Sequence, residues 1–265
     1  IALDLAEKFF DSENYYEAIT EYKRYIFFNS ERKDDSISYA YYKIGLSYRN
    51  QGKLEEAINA LQKSIENSNS ERVREQRRID LAVVLIANGN YSAAEFLLTK
   101  IEMFSSIPEL KRKAAFFRGI CALYSFKWDI AGEAFSTYFN NSSPETQETY
   151  KQVELLLAKA KQMKYKSPKL AKILSTLLPG SGQIYAGYWG KGLNALAINT
   201  AIGYLLAKDL LQHRYNDLIS DFLFLFTRFY SGNRHNAEEL AKKYNEHLNK
   251  FLAVQILEVL SRGLK

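Results

Sequence analysis

Alanines at positions 18, 57, 94 and 131 recur at intervals of 39, 37 and 37 residues, and each stands in the same local setting. Upstream lies a small residue with an aromatic or leucine three positions on, then a turn. Downstream lies a large apolar residue four positions after the alanine. The second segment shows the pattern most fully, with Tyr41, Ile44-Gly45, Tyr48, Gly52, Ala57 and Leu61. The first reads Leu5-Ala6, Phe9, Ala18, Tyr22 and Tyr25; the third reads Leu81-Ala82, Leu85, Gly89, Ala94, Leu98 and Ile101; the fourth reads Gly119, Ala122, Ala131, Phe135 and Tyr138. Self-similarity with a period in this range marks a chain that stacks one supersecondary unit, because a single unit cannot bury its own apolar face. Ala6, Gly45, Ala82 and Gly119 fall where two helices of a unit would cross, a place with no room for a large side chain. Asn50-Gln51-Gly52 and Asn88-Gly89-Asn90 supply turn residues between the helices.

This pattern resembles the tetratricopeptide repeat, a helix–turn–helix unit of about 34 residues, over roughly residues 1–140. The wider spacing here places extra residues in the connections near Asn67–Arg72 and Ser105–Pro108, and the family's proline is missing from its usual place. The resemblance implies an all-α fold: a solenoid of about four helix–turn–helix repeats over residues 1–143, followed by a helical C-terminal module. Pro144 opens a further helix with Val153, Leu156, Leu157 and Ala160 on one face. We expect it to bridge, over 144–166, to a third segment spanning 167–265, although it could instead cap the array.

Composition limits the chemistry. Hydrophobic residues at 47% and charged residues at 25% exclude a disordered or collagen-like chain. The single cysteine, Cys121, excludes a disulfide framework, and His213, His235 and His247 lack the spacing of a metal-binding helix. No metal, cofactor or catalytic residue is therefore expected, and the chain reads as a non-enzyme. Charge is unevenly placed. Residues 1–165 are electrically balanced, and the whole net charge of +6 lies in residues 166–265. A basic region of this kind suits an anionic surface or a solvated lysine coat equally well. No base-stacking alternation of aromatic and basic residues is present, so nucleic acid is not an expected partner.

Composition shifts at Lys166-Ser167-Pro168. A short apolar helix, Leu170–Leu178, leads into Pro179-Gly180-Ser181-Gly182-Gln183-Ile184-Tyr185-Ala186-Gly187-Tyr188-Trp189-Gly190-Lys191-Gly192. Five of the chain's 13 glycines fall between positions 180 and 192. Tyr185 stands where a phosphate loop or a dinucleotide loop would require glycine, and no strand precedes the segment. The run Pro-Gly-x-Gly-Gln-x-Tyr-x-Gly resembles a segment of small bacterial membrane modules in which a glycine-rich turn precedes a hydrophobic helical hairpin. Phe229-Tyr230-Ser231-Gly232-Asn233, Asn236-Ala237 and Tyr244-Asn245 resemble the end of the same modules. The resemblance covers about residues 166–250 and implies a place in the bacterial cell envelope, membrane-associated or periplasmic. No signal peptide is visible from Ile1 onward, and a cytoplasmic site stays open.

Leu193–Ala207 and Leu218–Phe229 are both shorter than the roughly 20 apolar residues of a membrane span and carry polar interruptions. Three readings follow: helices lying in the membrane interface with Tyr185, Tyr188 and Trp189 at headgroup level, a re-entrant hairpin, or a water-soluble bundle. The candidate membrane or module-turn residues are Pro179, Gly180, Gly182, Gln183, Tyr185, Gly187, Tyr188, Trp189 and Lys191. Two amphipathic helices, Ala237–His247 and Phe251–Leu260, are expected to follow. A pocket enzyme around Ser181, Gln183 and Tyr185 has no supporting motif.

In the repeat family the first helix of each repeat lines a concave groove. Aligned on the residues above, that groove would offer Tyr39, Tyr42, Leu46, Arg49 and Asn50 from the second repeat, Gln76, Ile79, Val83 and Ile86 from the third, and Lys113, Phe116, Ile120 and Tyr124 from the fourth. This set suits an extended or helical segment of a protein partner. The expected function is a protein-binding scaffold of the cell envelope whose C-terminal module docks on a membrane or a membrane complex. The alternative is a soluble adaptor in which both regions form one protein-binding surface.

Overall fold

A computed structural model describes residues 2–31, 35–140 and 143–263, with the side chains of Ala2 and Glu145 left aside. Among the described residues there is no strand. Eight helices make four antiparallel pairs: α1 (Ala2–Asp11) with α2 (Tyr15–Phe28), α3 (Ser36–Asn50) with α4 (Leu54–Glu66), α5 (Glu71–Ala87) with α6 (Tyr91–Phe104), and α7 (Pro108–Tyr124) with α8 (Trp128–Phe139). Then come α9 (Pro144–Lys161), α10 (Pro168–Leu177), α11 (Ser181–Tyr185), α12 (Trp189–Leu211), α13 (Tyr215–Asp221), a π-helical turn (Phe222–Phe226) and α14 (Thr227–Gly263). The chain forms two compact units, Ile1–Ala158 with Ile256–Lys265, and Lys159–Gln255.

In the first unit, the crossings fall where the small residues are. A Cβ on Gly45 would stand 2.8 Å from Leu61 Cγ, and one on Gly119 would stand 2.6 Å from Phe135 Cε1. Ala6 and Ala82 hold the equivalent places and are fully buried, as are Ala18, Ala57, Ala94 and Ala131 on the second helices. Around them Tyr22, Leu61, Leu98, Ile101 and Phe135 fill the core, each contributing roughly 1.5–3 kcal/mol on burial. The turns within the pairs share one geometry. Glu13, Gly52, Gly89 and Phe126 all have positive φ, between 56° and 77°. The amide of the next residue reaches back five positions, Asn14 to Phe9, Lys53 to Tyr48, Asn90 to Leu85 and Lys127 to Ala122. This is the Schellman ending, which takes up the last carbonyls of a helix. Helix starts are also encoded locally. Asn90 Oδ1 accepts from the Ala93 amide, and Pro108 and Pro144 open α7 and α9.

The helix read as a bridge belongs to this unit as far as Ala158. Tyr150 on α9 stacks on Phe139 of α8 at 5.2 Å, and Leu157 approaches Gly132. The last turns of α14 return to the same unit and bury Ile256 and Leu260, while Gly263 lies against Thr149 of α9. α9 and the end of α14 thus close the open face of the last repeat. The sequence suggested two helices over 237–247 and 251–260, but α14 runs unbroken through Leu248-Asn249-Lys250, where neither glycine nor proline interrupts the backbone ladder.

In the second unit, α10 begins on Ser167, whose Oγ accepts from the Leu170 amide ahead of Pro168. The glycine-rich run makes the turn after α10, α11 itself, the turn that follows it and the start of α12. Ala171, Ala186, Ala237, Leu240 and Ala241 form the small core beneath it, with Tyr185 and Tyr188 packed against them.

Candidate functional site

The first helices of the repeats pack directly on one another, α1 on α3 and α5 on α7. Their shared face carries a ladder of polar and aromatic side chains. Glu7 on α1 lies 2.8 Å from Lys43 Nζ on α3 and accepts 2.6 Å from the Tyr22 hydroxyl. Burial pushes the Glu7 carboxyl upward, but hydrogen bonds from Lys43, Tyr22 and Tyr39 outweigh it and hold the group below its ordinary value. The next rung joins α3 to α5, where the Tyr42 hydroxyl donates 3.1 Å to Asp80 Oδ2 and the Arg77 guanidinium lies 5.4 Å from the Tyr42 ring centre. Burial, with the Asp80 charge beside it, pushes the Tyr42 phenol up to about 12. Gln76 Nε2 donates 3.2 Å to Asp80 Oδ1, and Lys113 Nζ on α7 donates 3.3 Å to Gln76 Oε1.

This face joins Tyr39, Tyr42, Gln76 and Lys113 from the expected groove. Leu46, Val83, Ile86 and Ile120 are half-buried on the same helices, and Arg49 and Asn50 are exposed at the end of α3. Ile79 leaves the set. It is fully buried in the core, because it falls on the inward stripe of α5 with Ala82 and Leu85. Phe116 turns toward α8, where it meets Phe135 and Tyr138 at 6.2 and 4.8 Å, and Tyr124 stacks on Tyr91 of α6 at 5.7 Å. With Ile79, Phe116 and Tyr124 turned to other contacts, the face is more polar than the expected set of residues. Asp80 went unnoticed, although its i, i+4 spacing from Gln76 on one helix face was a readable signal.

The outer side opens differently. Between α4 and α6, with α5 as floor, lies a groove of about 570 Å³ walled by Glu55, Gln62, Leu81, Asn88, Phe96 and Leu97 among others. Phe96, Met103 and Phe104 form an exposed apolar stripe along α6, with Lys100 Nζ 4.6 Å from the Phe96 ring centre. Cys121 is buried, its Sγ 3.0 Å from the Tyr91 carbonyl, and burial pushes its thiol up to about 11, so it is held as an unreactive thiol.

In the second unit the glycine-rich run is partly interior. Gly180, Gly182 and Gln183 are buried and offer no surface to a membrane; they form a clasp. Gly182 N donates 3.0 Å to Ser175 Oγ, which donates 2.7 Å to Gln183 Oε1. Gln183 Nε2 and Gly180 N both donate to Asn233 Oδ1, at 2.7 and 3.2 Å, and Asn233 Nδ2 donates 3.1 Å to the Ser175 carbonyl. A Cβ on Gly182 would stand 1.9 Å from the Ala171 carbonyl oxygen, and one on Gly180 would stand 2.1 Å from that of Gly192. Asn245 brackets Lys166 through its backbone N–H and carbonyl, at 2.8 and 2.9 Å. The Tyr185 hydroxyl accepts from the Ser167 amide, and Gly187 lies against Tyr244. Pro179 and Tyr188 are half-buried, while Trp189 and Lys191 are exposed. Ser181 Oγ donates to the Leu178 carbonyl, so the residues of the pocket-enzyme reading are occupied in building the turn.

Beyond the clasp, α12 buries only Gly192, Ile202 and Asp209, and α13 and the π turn bury nothing. Trp189, Leu193, Tyr204 and Leu211 fall on one exposed stripe of α12, and Phe222, Leu223 and Phe224 are exposed in the π turn. Among the described residues no helix is long and apolar enough to cross a membrane, and no group of three or more His, Cys, Asp or Glu could hold a metal ion.

A tetratricopeptide-repeat family model matches residues 39–70, the stretch of α3 and α4. No curated protein matches the sequence. Repeats of this family are in general non-catalytic units that bind protein partners, and the repeat unit is accordingly read as a protein-interaction scaffold.

Proposed function

We propose that the chain is a non-enzymatic scaffold of the bacterial cell envelope. In this reading the repeat unit holds a protein partner along the ladder face of α3, α5 and α7, and the second unit docks on a membrane or a membrane complex. The observation that carries the docking half is the inversion of α12, α13 and the π turn, whose apolar side chains point outward while their few buried positions include Gly192 and Asp209. Exposed apolar surface of this extent marks a site of association. The aromatic residues Trp189, Tyr204 and Tyr215 with the basic excess of residues 166–265 suit helices that lie in the interface of an anionic bilayer.

Flotation of the full chain with vesicles of phosphatidylcholine and phosphatidylglycerol at low salt tests this. The native chain is expected in the floating fraction, and Leu211→Ser with Phe224→Ser at the bottom of the gradient. A native chain that stays at the bottom rejects membrane docking. That result would favour the alternative, a soluble adaptor whose exposed helices meet a protein, which the polar interruptions Asn194, Asn199, Lys208 and Asp209 in α12 support.

A further inference from the structure

A pocket of about 310 Å³ opens between α12 and the first turns of α14, with the clasp residues Gln183 and Asn233 at its floor. Lys191 and Arg228 both line it, and no carboxylate does. Neither cation belongs to an ion pair among the described residues, whereas Arg214, Lys172 and Lys242 of the same unit all do. The rest of the polar wall is carboxamide, from Asn194, Asn199 and Asn236. Asn199 Nδ2 donates to the Ala195 carbonyl, but its Oδ1 is buried and accepts from no group among the described residues. Phe229 supplies an apolar edge, 40% exposed.

We propose that this pocket binds the headgroup of an anionic glycerophospholipid whose headgroup carries hydroxyls. Two cations lining one pocket without a carboxylate match a phosphodiester, and carboxamide N–H groups add neutral donors to its oxygens. An acceptor left without a partner suits a hydroxyl donor, which a glycerol headgroup brings and a phosphodiester group by itself does not. The apolar edge at Phe229 and the exposed stripe of α12 give the acyl chains a path out of the pocket. The lipid source rests on the membrane-docking reading above; the phosphodiester chemistry of the pocket does not.

The experiment uses the full chain in two arms. In solution, glycerophosphoglycerol and inorganic phosphate are titrated separately, with Trp189 fluorescence and amide NMR shifts as readouts. On vesicles, flotation compares phosphatidylcholine alone with phosphatidylcholine plus phosphatidylglycerol. Lys191→Gln with Arg228→Gln removes the pocket charge, and Lys169→Gln with Lys243→Gln removes the same charge from exposed sites outside it. Saturable binding of glycerophosphoglycerol, weakened about tenfold or more in the pocket variant and unchanged in the control, is the expected result. The pocket variant is also expected to lose the preference for phosphatidylglycerol while keeping its partition onto neutral vesicles. Equal weakening in the two variants, or no response to glycerophosphoglycerol, overturns the pocket. Equal affinity for inorganic phosphate overturns the headgroup assignment. Binding in solution without flotation of any chain overturns the lipid source and the docking reading together, and leaves a site for a soluble phosphodiester.

Discussion

Gln183 and Asn233, 50 positions apart, meet through a 2.7 Å hydrogen bond from Gln183 Nε2 to Asn233 Oδ1, with a second from the same nitrogen to the Asn233 carbonyl at 3.0 Å. Both residues are buried, and between them they order the turn at Gly180, the end of α10 and the start of α14. Each belongs to one of the two sequence segments that first suggested a module.

Asn233→Ala would strand the Gly180 amide, leave Gln183 Nε2 with only its bond to the residue 233 carbonyl, and remove the donor to the Ser175 carbonyl. Buried groups left unpaired in this way cost about 1–3 kcal/mol each. Denaturant unfolding is expected to show a loss of at least about 2 kcal/mol in the second unit, with Asn233→Asp intermediate because it can accept but cannot donate to Ser175.

Gly182→Ala and Gly203→Ala form a contrast. The first places a methyl 1.9 Å from a backbone oxygen, whereas the second meets nothing within 4 Å in the middle of α12. The first variant is expected to lose more than about 3 kcal/mol or fail to fold, and the second to gain about 0.5–1 kcal/mol from helix propensity. Thermal unfolding followed by circular dichroism reads both.

Turn strain predicts a gain in the first repeat. Glu13 holds φ of 60° with its side chain exposed, where the second and third repeats place Gly52 and Gly89. Glu13→Gly is expected to raise stability by up to about 1 kcal/mol, and Gly89→Ala to lower it by about as much. Equal and opposite shifts in the unfolding midpoint would confirm one shared turn geometry.

The Glu7 cluster should make the first unit sensitive to acid. Because the folded carboxyl sits below its ordinary value, its contribution is complete above that value and fades as pH falls through the folded one. Between about pH 5 and about pH 3 the native chain is expected to lose stability more steeply than Glu7→Gln. A melting series across that window compares the two slopes, and parallel slopes would remove Glu7 from the acid response.

The crossings of the helix pairs were legible in the sequence because sterics act there on residue identity: only Ala or Gly fits at positions 6, 45, 82 and 119. The turns were legible at Gly52 and Gly89 and invisible at Glu13 and Phe126, where the same backbone is adopted without the residue that favours it. The ladder face was half legible. Tyr42, Gln76 and Lys113 follow from helix periodicity, but the bond from Tyr42 to Asp80 depends on how one repeat is set against the next, which no local pattern fixes. Ile79 shows the same limit in reverse, since a small change in the rotation of α5 decides between groove and core. The clasp could not be read as contacts, because its partners lie far apart in sequence.

A break between helices normally ties a chain to water, since the interrupted ladder leaves donors and acceptors that only solvent can meet. The break after α10 is different. The amides of Gly180 and Gly182 are taken by Asn233 and Ser175, and the carbonyls of Ser175 and Thr176 by Asn233 and Tyr230. With these four polar backbone groups answered from within, none of them depends on water for a partner. Lipid could replace water beside this corner of the fold without unpairing these four groups, a tolerance that irregular backbone at a bilayer surface requires.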